Sequence, residues 1–262
     1  MNQISDENII LICEDSPEGI FTAIYEAYVL RIPHEQISLQ IGETENFRLF
    51  SVYREIRPDK EKAQKVMRTL KRCFSKEEYS NLWMALATED NRKANAVYKT
   101  VVRGLSRKRK GGLLDHMTDD NVRTVVELSR RAWNEMHRMR EFLRFAELEN
   151  GMLYAVIAPK AGILPMVAAH FADRLPMENF LIFDESREIY AVHPAGKEWF
   201  LMKGFAEKGE KDREIENSAA EEYYSELFRS FCHSISIESR KNLKLQQNML
   251  PLRFRPYMVE FL

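Results

Sequence analysis

Apolar residues along this chain follow two rhythms, one of period two and one of three to four, and the two alternate in blocks. "NIILICEDS" holds four consecutive β-formers, Ile9 to Ile12, in a run too short for a helix, which predicts a buried strand ending in a turn. "SPEGIFTAIYEAYVLR" follows. Ser16 is placed to cap a helix, with Pro17 at its first position and Glu18 in its first turn. Ile20, Ile24 and Tyr28 then recur at helical spacing. Residues 47–56 alternate and predict a second strand, which makes the opening a βαβ-like unit.

The middle of the chain reads as helical. "DKEKAQKVMRTLKRCF" is amphipathic, and "SKEEYSNLWMALAT" starts on a capping box of Ser75 and Glu78. "NRKANAVYKTVVRGL" continues the helical character until "RKRKGG" breaks it. "TDDNVRTVVELSRRAWNEMHRMREFLRFAEL" is the longest periodic stretch, with Val122, Val125, Val126, Ser129, Trp133, Met136 and Met139 as its inward stripe. At Asn150–Gly151 the period switches to two, which predicts a hairpin between residues 143–148 and 153–157. "GILPMVAAHFADRL" predicts a helix, "NFLIFDESREIYAVHP" a second hairpin turning at 184–187, and two helices close the chain. The expected fold class is α+β: a small N-terminal βαβ-like unit, a helical middle, then hairpin–helix–hairpin and closing helices. Its expected organisation is an α/β unit over 1–80 and a second domain over 81–262, or one compact unit.

Charge changes this picture more than composition does. The net charge is −1, which argues against a protein that coats nucleic acid or membrane with its whole surface. The distribution is uneven: residues 92–144 carry 14 Lys/Arg against 6 Asp/Glu, and residues 229–262 carry 6 against 2. Cys13, Cys73 and Cys232 lie far apart with no CxxC spacing, which points away from a zinc or iron–sulfur site and toward a reducing cytoplasm. No run approaches the ~20 apolar residues of a membrane span, and no signal peptide opens the chain. The expected location is the cytoplasm.

No P-loop, dinucleotide fingerprint, HExxH or GxSxG motif is present, so no catalytic residue, metal ligand or cofactor announces itself. The clearest positive feature is "RGLSRKRKGG", where Arg103, Arg107, Lys108, Arg109 and Lys110 precede a Gly–Gly between two helices. Such a loop either grips phosphates or is a solvated run of charge. His137 and Glu141 sit at i, i+4 and are weak acid/base candidates, with His170 as a third; such residues on helices are more often structural. Phe142, Phe145, Tyr154, Phe180, Phe183 and Tyr190 stud the hairpins; at alternating spacing they read mostly as core, and any exposed on a sheet could stack bases. The tail alternates from Leu250 to Phe254, which places Leu252, Phe254 and Met258 inward. Arg253 and Arg255 then either pair with acidic groups or line a phosphate-contacting surface.

Six blocks occur together in one order: "ILICEDSPEGIFTAIYEAY", "RPDKEKAQKV", "EMHRMREFLRF", "ILPMVAAHFADRL", "NFLIFDESREIYAV" and "IESRKNLKLQQNMLPLRFRPYMVEF". In that combination the chain resembles, over nearly its whole length, a bacterial family of DNA metabolism proteins. The resemblance implies a C-terminal two-thirds of unknown function. It also implies a gene beside that of a radical-SAM DNA modification or repair protein, and fusion elsewhere to uracil-DNA-glycosylase-like proteins. The "GxDPY"-type motif of the glycosylase and the CxxxCxxC triad of radical chemistry are both missing here, so neither chemistry carries over. The expectation is a DNA-associated accessory protein in repair or modification that acts with a radical-SAM partner. The alternatives are an enzyme acting on damaged or modified DNA and a protein-interaction module without DNA contact.

Overall fold

The structure, a computed structural model, describes residues 8–42, 47–107, 110–203 and 216–261. Its contacts divide the chain into two compact units, Met1–Trp133 and Asn134–Leu262, so the division falls well beyond residue 80. The fold class is α+β.

In the first unit, β1 (Asn8–Cys13), α1 (Pro17–Val29) and β2 (Ile37–Ile41) form the βαβ element, and β3 (Ser51–Ile56) adds to the other side of β1. The sheet is parallel in the order β2-β1-β3, with Ile9 opposite both Ile37 and Val52. The expected second strand over residues 47–56 is therefore shorter and is the third strand. β2 closes the crossover instead. Its alternation of Ile37, Leu39 and Ile41 is only five residues long and follows a turn, so it reads as connection. Ser16 caps α1 by accepting the Gly19 amide at 3.0 Å, as its position predicts. Ile20, Phe21 and Ile24 are buried against the sheet with Leu11 and Ile37.

Helices α2 (Lys60–Cys73), α3 (Lys76–Leu86) and α4 (Lys93–Leu105) complete this core, with the start of α5 (Asp120–Phe142). Gly104 lets α4 sit on Phe74: a Cβ there would lie 2.2 Å from the Phe74 ring. The capping box at Ser75 forms, with Ser75 N donating to Glu78 Oε2 at 2.8 Å. Glu78 does more than cap. Its buried carboxylate also accepts the amides of Gly111 and Leu113 and the Arg107 guanidinium, at 3.3, 3.0 and 2.9 Å. Burial by itself raises the carboxyl's pKa. The Ser75 and Leu113 amides, Arg107 and the Gly111 amide outweigh it and hold the value at about 2.

In the second unit, β4 (Ala146–Glu147) and β5 (Leu153–Ile157) form a hairpin, with Ala146 opposite Tyr154. Gly151 takes φ +77° in its turn, a conformation that favours glycine, and its amide donates to Leu148 O at 2.8 Å. The first strand is far shorter than residues 143–148. Helix α6 (Leu164–Arg174) leads to β6 (Phe180–Asp184), which pairs with β5 in parallel. β7 (Ile189–His193) and β8 (Phe200–Lys203) follow antiparallel. The two expected hairpins thus merge into one sheet, β4-β5-β6-β7-β8, because α6 is a crossover helix and not a spacer. Helices α7 (Ala219–Ser234) and α8 (Leu243–Met249) precede the tail.

The tail is not a strand. Leu252–Tyr257 is a 3-10 helix, closed by Phe254 N to Pro251 O and followed by Met258 N to Arg255 O, both 3.1 Å. Pro251 and Pro256 have fixed φ and no N–H for a ladder, so side chains no longer alternate. Phe254 and Met258 are buried as expected, but Leu252 is 58% exposed. Phe254 packs on Phe142 with ring centroids 5.3 Å apart, and Arg253 pairs with Glu135 at 2.8 Å. Glu135 is itself buried and also accepts the Lys160 and Ala161 amides at 3.0 and 2.9 Å. This is where the tail docks.

Two measurements test these assignments. Glu78 is depressed in the folded state, so its contribution is present above its ordinary pKa of 4.5 and is lost as pH falls toward about 2. That contribution is about 3 kcal/mol. Glu78→Gln should lower stability at neutral pH by this order and flatten the acid limb of the pH–stability profile; an unchanged acid limb would refute the assignment. In the tail, Phe254→Ala should cost about 3–5 kcal/mol, whereas Leu252→Ala should stay within about 0.5 kcal/mol. Equal effects in denaturant titrations would contradict the 3-10 geometry.

Candidate nucleic-acid interface

The mixed sheet of the second unit is dressed differently on its two faces. Ala155, Ile157, Phe180, Ile182, Ala191 and His193 are buried on one face, where α6 packs. Alternate positions point the other way and stay half-exposed. Strand register sets them in two rows. Val156, Phe183, Tyr190 and Met202 form one, and Tyr154, Leu181, Val192 and Phe200 the other. Phe183 and Tyr190 stack across the strands with centroids 4.5 Å apart and planes at 22°. At the β8 edge Phe200 is 49% exposed. The result is an open, aromatic sheet face.

The tail borders this face along β5. Tyr257 donates to Glu185 Oε2 at 2.7 Å, and burial followed by that carboxylate pushes Tyr257 up to about 12. Burial, then Tyr190 and Glu185, push Tyr154 up to about 12 as well. Arg255 lies over the Phe261 ring at 4.7 Å, and its Nε and Nη2 are buried with no hydrogen-bond partner among the described residues. Asp184 is buried at the end of β6, where burial raises its pKa and Arg187 opposes the rise from 3.4 Å. Arg187 also donates to Pro159 O and Lys160 O, so it positions the loop that Glu135 holds from the other side.

The basic residues singled out by sequence lie elsewhere and are mostly engaged. Arg103 pairs with Asp119 at 2.9 Å. Arg107 is bound by Glu78 and donates to Gly111 O. Lys110 is exposed; Lys108 and Arg109 lie outside the described residues. Arg253 is taken by Glu135, which leaves Arg255 as the tail arginine without an ion pair among the described residues. His137 and Glu141 are exposed on α5, and His170 is half-buried on α6 beside Phe171. Burial and then Arg140 and Arg174 lower the His170 pKa, with Asp173 opposing. Neither His137 nor Glu141 is among the charges that act on His170. Among the described residues no group of three His, Cys, Asp or Glu side chains is placed to hold a metal ion, and no helix is long and apolar enough to cross a membrane.

A second concavity, a cleft of about 740 Å³, opens in the first unit beside β2 and the first turns of α4 and α5. Asn91, Asn95 and Asn121 line it, and Asn95 Oδ1 accepts the Leu39 amide at the sheet edge. Of its charged groups Arg92 pairs with Asp90 and Asp120 with Arg123, and Arg48 lines it as well. Sequence reasoning named Tyr154, Phe183 and Tyr190, but neither Phe200 nor the face they share. The signal was there as alternation within each strand, yet only register joins Tyr154, Phe183, Tyr190 and Phe200 across strands.

Comparison with known proteins adds a family and little else. A comparison with curated proteins finds no match. One solved structure, described as a DHH domain and as a member of a family of ribosomal proteins, aligns over 71% of this chain and 73% of its own. The identity is 10% and the TM-score 0.30, a likeness that carries no argument. Residues 91–260 match the model of the domain of unknown function DUF4130, and by that match this chain belongs to the DUF4130 family.

Proposed function

We propose that this protein is a DNA-associated accessory factor in DNA repair or modification, and that its second unit holds unpaired bases on the open sheet face. The observation that carries the reading is the set of aromatics that strand register brings to one sheet face, with Phe183 stacked on Tyr190 in one row and Tyr154 and the exposed Phe200 in the next. Stacking on aromatic plates accepts any base, because every base has a π-face. The exposed Lys110 of the first unit is a candidate cation for phosphates. The family resemblance adds a radical-SAM protein as the working partner. The scattered histidines and the engaged carboxylates favour an accessory role over catalysis.

The test is fluorescence anisotropy with a labelled single-stranded oligonucleotide and its duplex. Single strands should bind more tightly than duplex, with a salt slope of about 0.7 per phosphate contacted. Phe200→Ala and Tyr190→Ala should each weaken single-strand binding by roughly 5- to 150-fold, the range of about 1–3 kcal/mol per stacked base. Phe200 is exposed enough that its replacement should leave the melting temperature unchanged. Alanine at Lys108, Arg109 and Lys110 together should lower the slope by roughly 2 if the loop takes part. No binding at low salt, or binding indifferent to both aromatic variants, would remove the sheet face from the function.

A further inference from the structure

The parallel sheet of the first unit has two faces, and the core with α1 and α2 accounts for one. Ile9, Leu11, Ile37 and Leu39 are buried on that side. The alternate residues point the other way, with Ile10 level with Ser38 on β2 and Tyr53 on β3. A parallel sheet is ordinarily covered on both faces. Here Ile10, Ser38 and Gln40 of the second face line the cleft of about 740 Å³, with the starts of α4 and α5 as its walls. Its lip is the pair Phe47 and Arg48, held by Tyr53. The Arg48 amide donates to the Tyr53 hydroxyl at 2.7 Å, and the Phe47 ring packs edge-on against Tyr53 with centroids 5.0 Å apart. Phe47 is 75% exposed. Arg92 is held by two hydrogen bonds to Asp90, at 2.9 and 2.8 Å, whereas the exposed Arg48 guanidinium makes no ion pair among the described residues. Asn95 gives its Oδ1 to the Leu39 amide at 3.2 Å and keeps its NH2 as a donor. The side chain of the exposed Asn91 has no hydrogen bond among the described residues.

We propose that this cleft binds a nucleoside monophosphate, with the base between Phe47 and the asparagine amides and the phosphate at Arg48. Size is the first argument: the volume lies within the ~300–1,000 Å³ of small-molecule sites. Chemistry is the second. An open aromatic plate stacks on a base of any kind. An asparagine amide sets a donor beside an acceptor, the pattern that pairs with the polar edge of a base. A guanidinium takes a phosphate through two parallel hydrogen bonds. These three groups line one cleft, and plate and cation are adjacent in the chain. Exclusion is the third. Asp120 is paired with Arg123, which disfavours a cationic ligand. A purely apolar ligand would cover the amides of Asn91 and Asn95 without satisfying them. A neutral sugar would use the amides and leave Arg48 idle. The proposal does not rest on the aromatic sheet of the second unit.

Isothermal titration of the full chain with AMP, GMP, CMP and UMP tests this. At least one should bind at a single saturable site with Kd below about 1 mM. Its nucleoside and ribose 5-phosphate should each bind more weakly, since each lacks one of the two anchored parts. Phe47→Ala should weaken nucleotide and nucleoside alike by roughly 5-fold or more and leave ribose 5-phosphate unchanged. Arg48→Ala should weaken the nucleotide by roughly 10-fold or more and leave the nucleoside unchanged. Both side chains are exposed, so neither variant should shift the melting temperature. Phe200→Ala, on the sheet of the second unit, should leave nucleotide affinity as it is, which separates this site from that one. A free nucleotide and the end of a strand share this chemistry. A 5′-phosphorylated single strand that displaces the nucleotide identifies the strand end as the ligand, and one that does not identifies the free nucleotide. Absence of binding by all four nucleotides overturns the proposal. So does binding indifferent to Phe47→Ala and Arg48→Ala, or a loss that is the same for nucleotide and nucleoside in Arg48→Ala.

Discussion

A buried carboxylate survives in a fold only if it is compensated where it stands, and the first unit is organised around that requirement at Glu78. One side chain caps α3, accepts two amides from the chain after α4 and neutralises Arg107. Without those donors the charge would be expelled to solvent and the segment around Gly111 would lose its anchor. The second unit repeats the device with other parts. Glu135 gathers two amides from the loop after β5 and the guanidinium of Arg253. In each unit a glutamate on a helix fixes an irregular segment that cannot hold itself by regular hydrogen bonding.

These anchors also explain which surfaces remain available. Arg107 and Arg253 belong to the anchors, each paired with a glutamate. The sheet face bearing Phe183, Tyr190 and Phe200 is one surface that these anchors leave uncovered, and flat aromatic plates at strand spacing suit bases.

Much of this was legible along the chain. Local rules placed the Ser16 cap, the Ser75–Glu78 capping box, the Asn150–Gly151 turn and the long α5, because each depends on residues within one turn of one another. Other features failed the same rules. β2 is too short to outvote its surroundings, and the tail kept an alternating pattern that its prolines prevent from forming a strand.

The sequence by itself determined the elements, their caps, the α+β class and the residues able to carry charge or stack. Only the tertiary structure decided partners. A cluster of arginines reads as an open patch until a carboxylate 29 positions away takes Arg107 and one on α5 takes Arg253. Four aromatics on separate strands become one surface only when register aligns them. Periodicity reports which way a side chain points from its own backbone. It cannot report what lies in that direction, because that depends on segments brought together by folding.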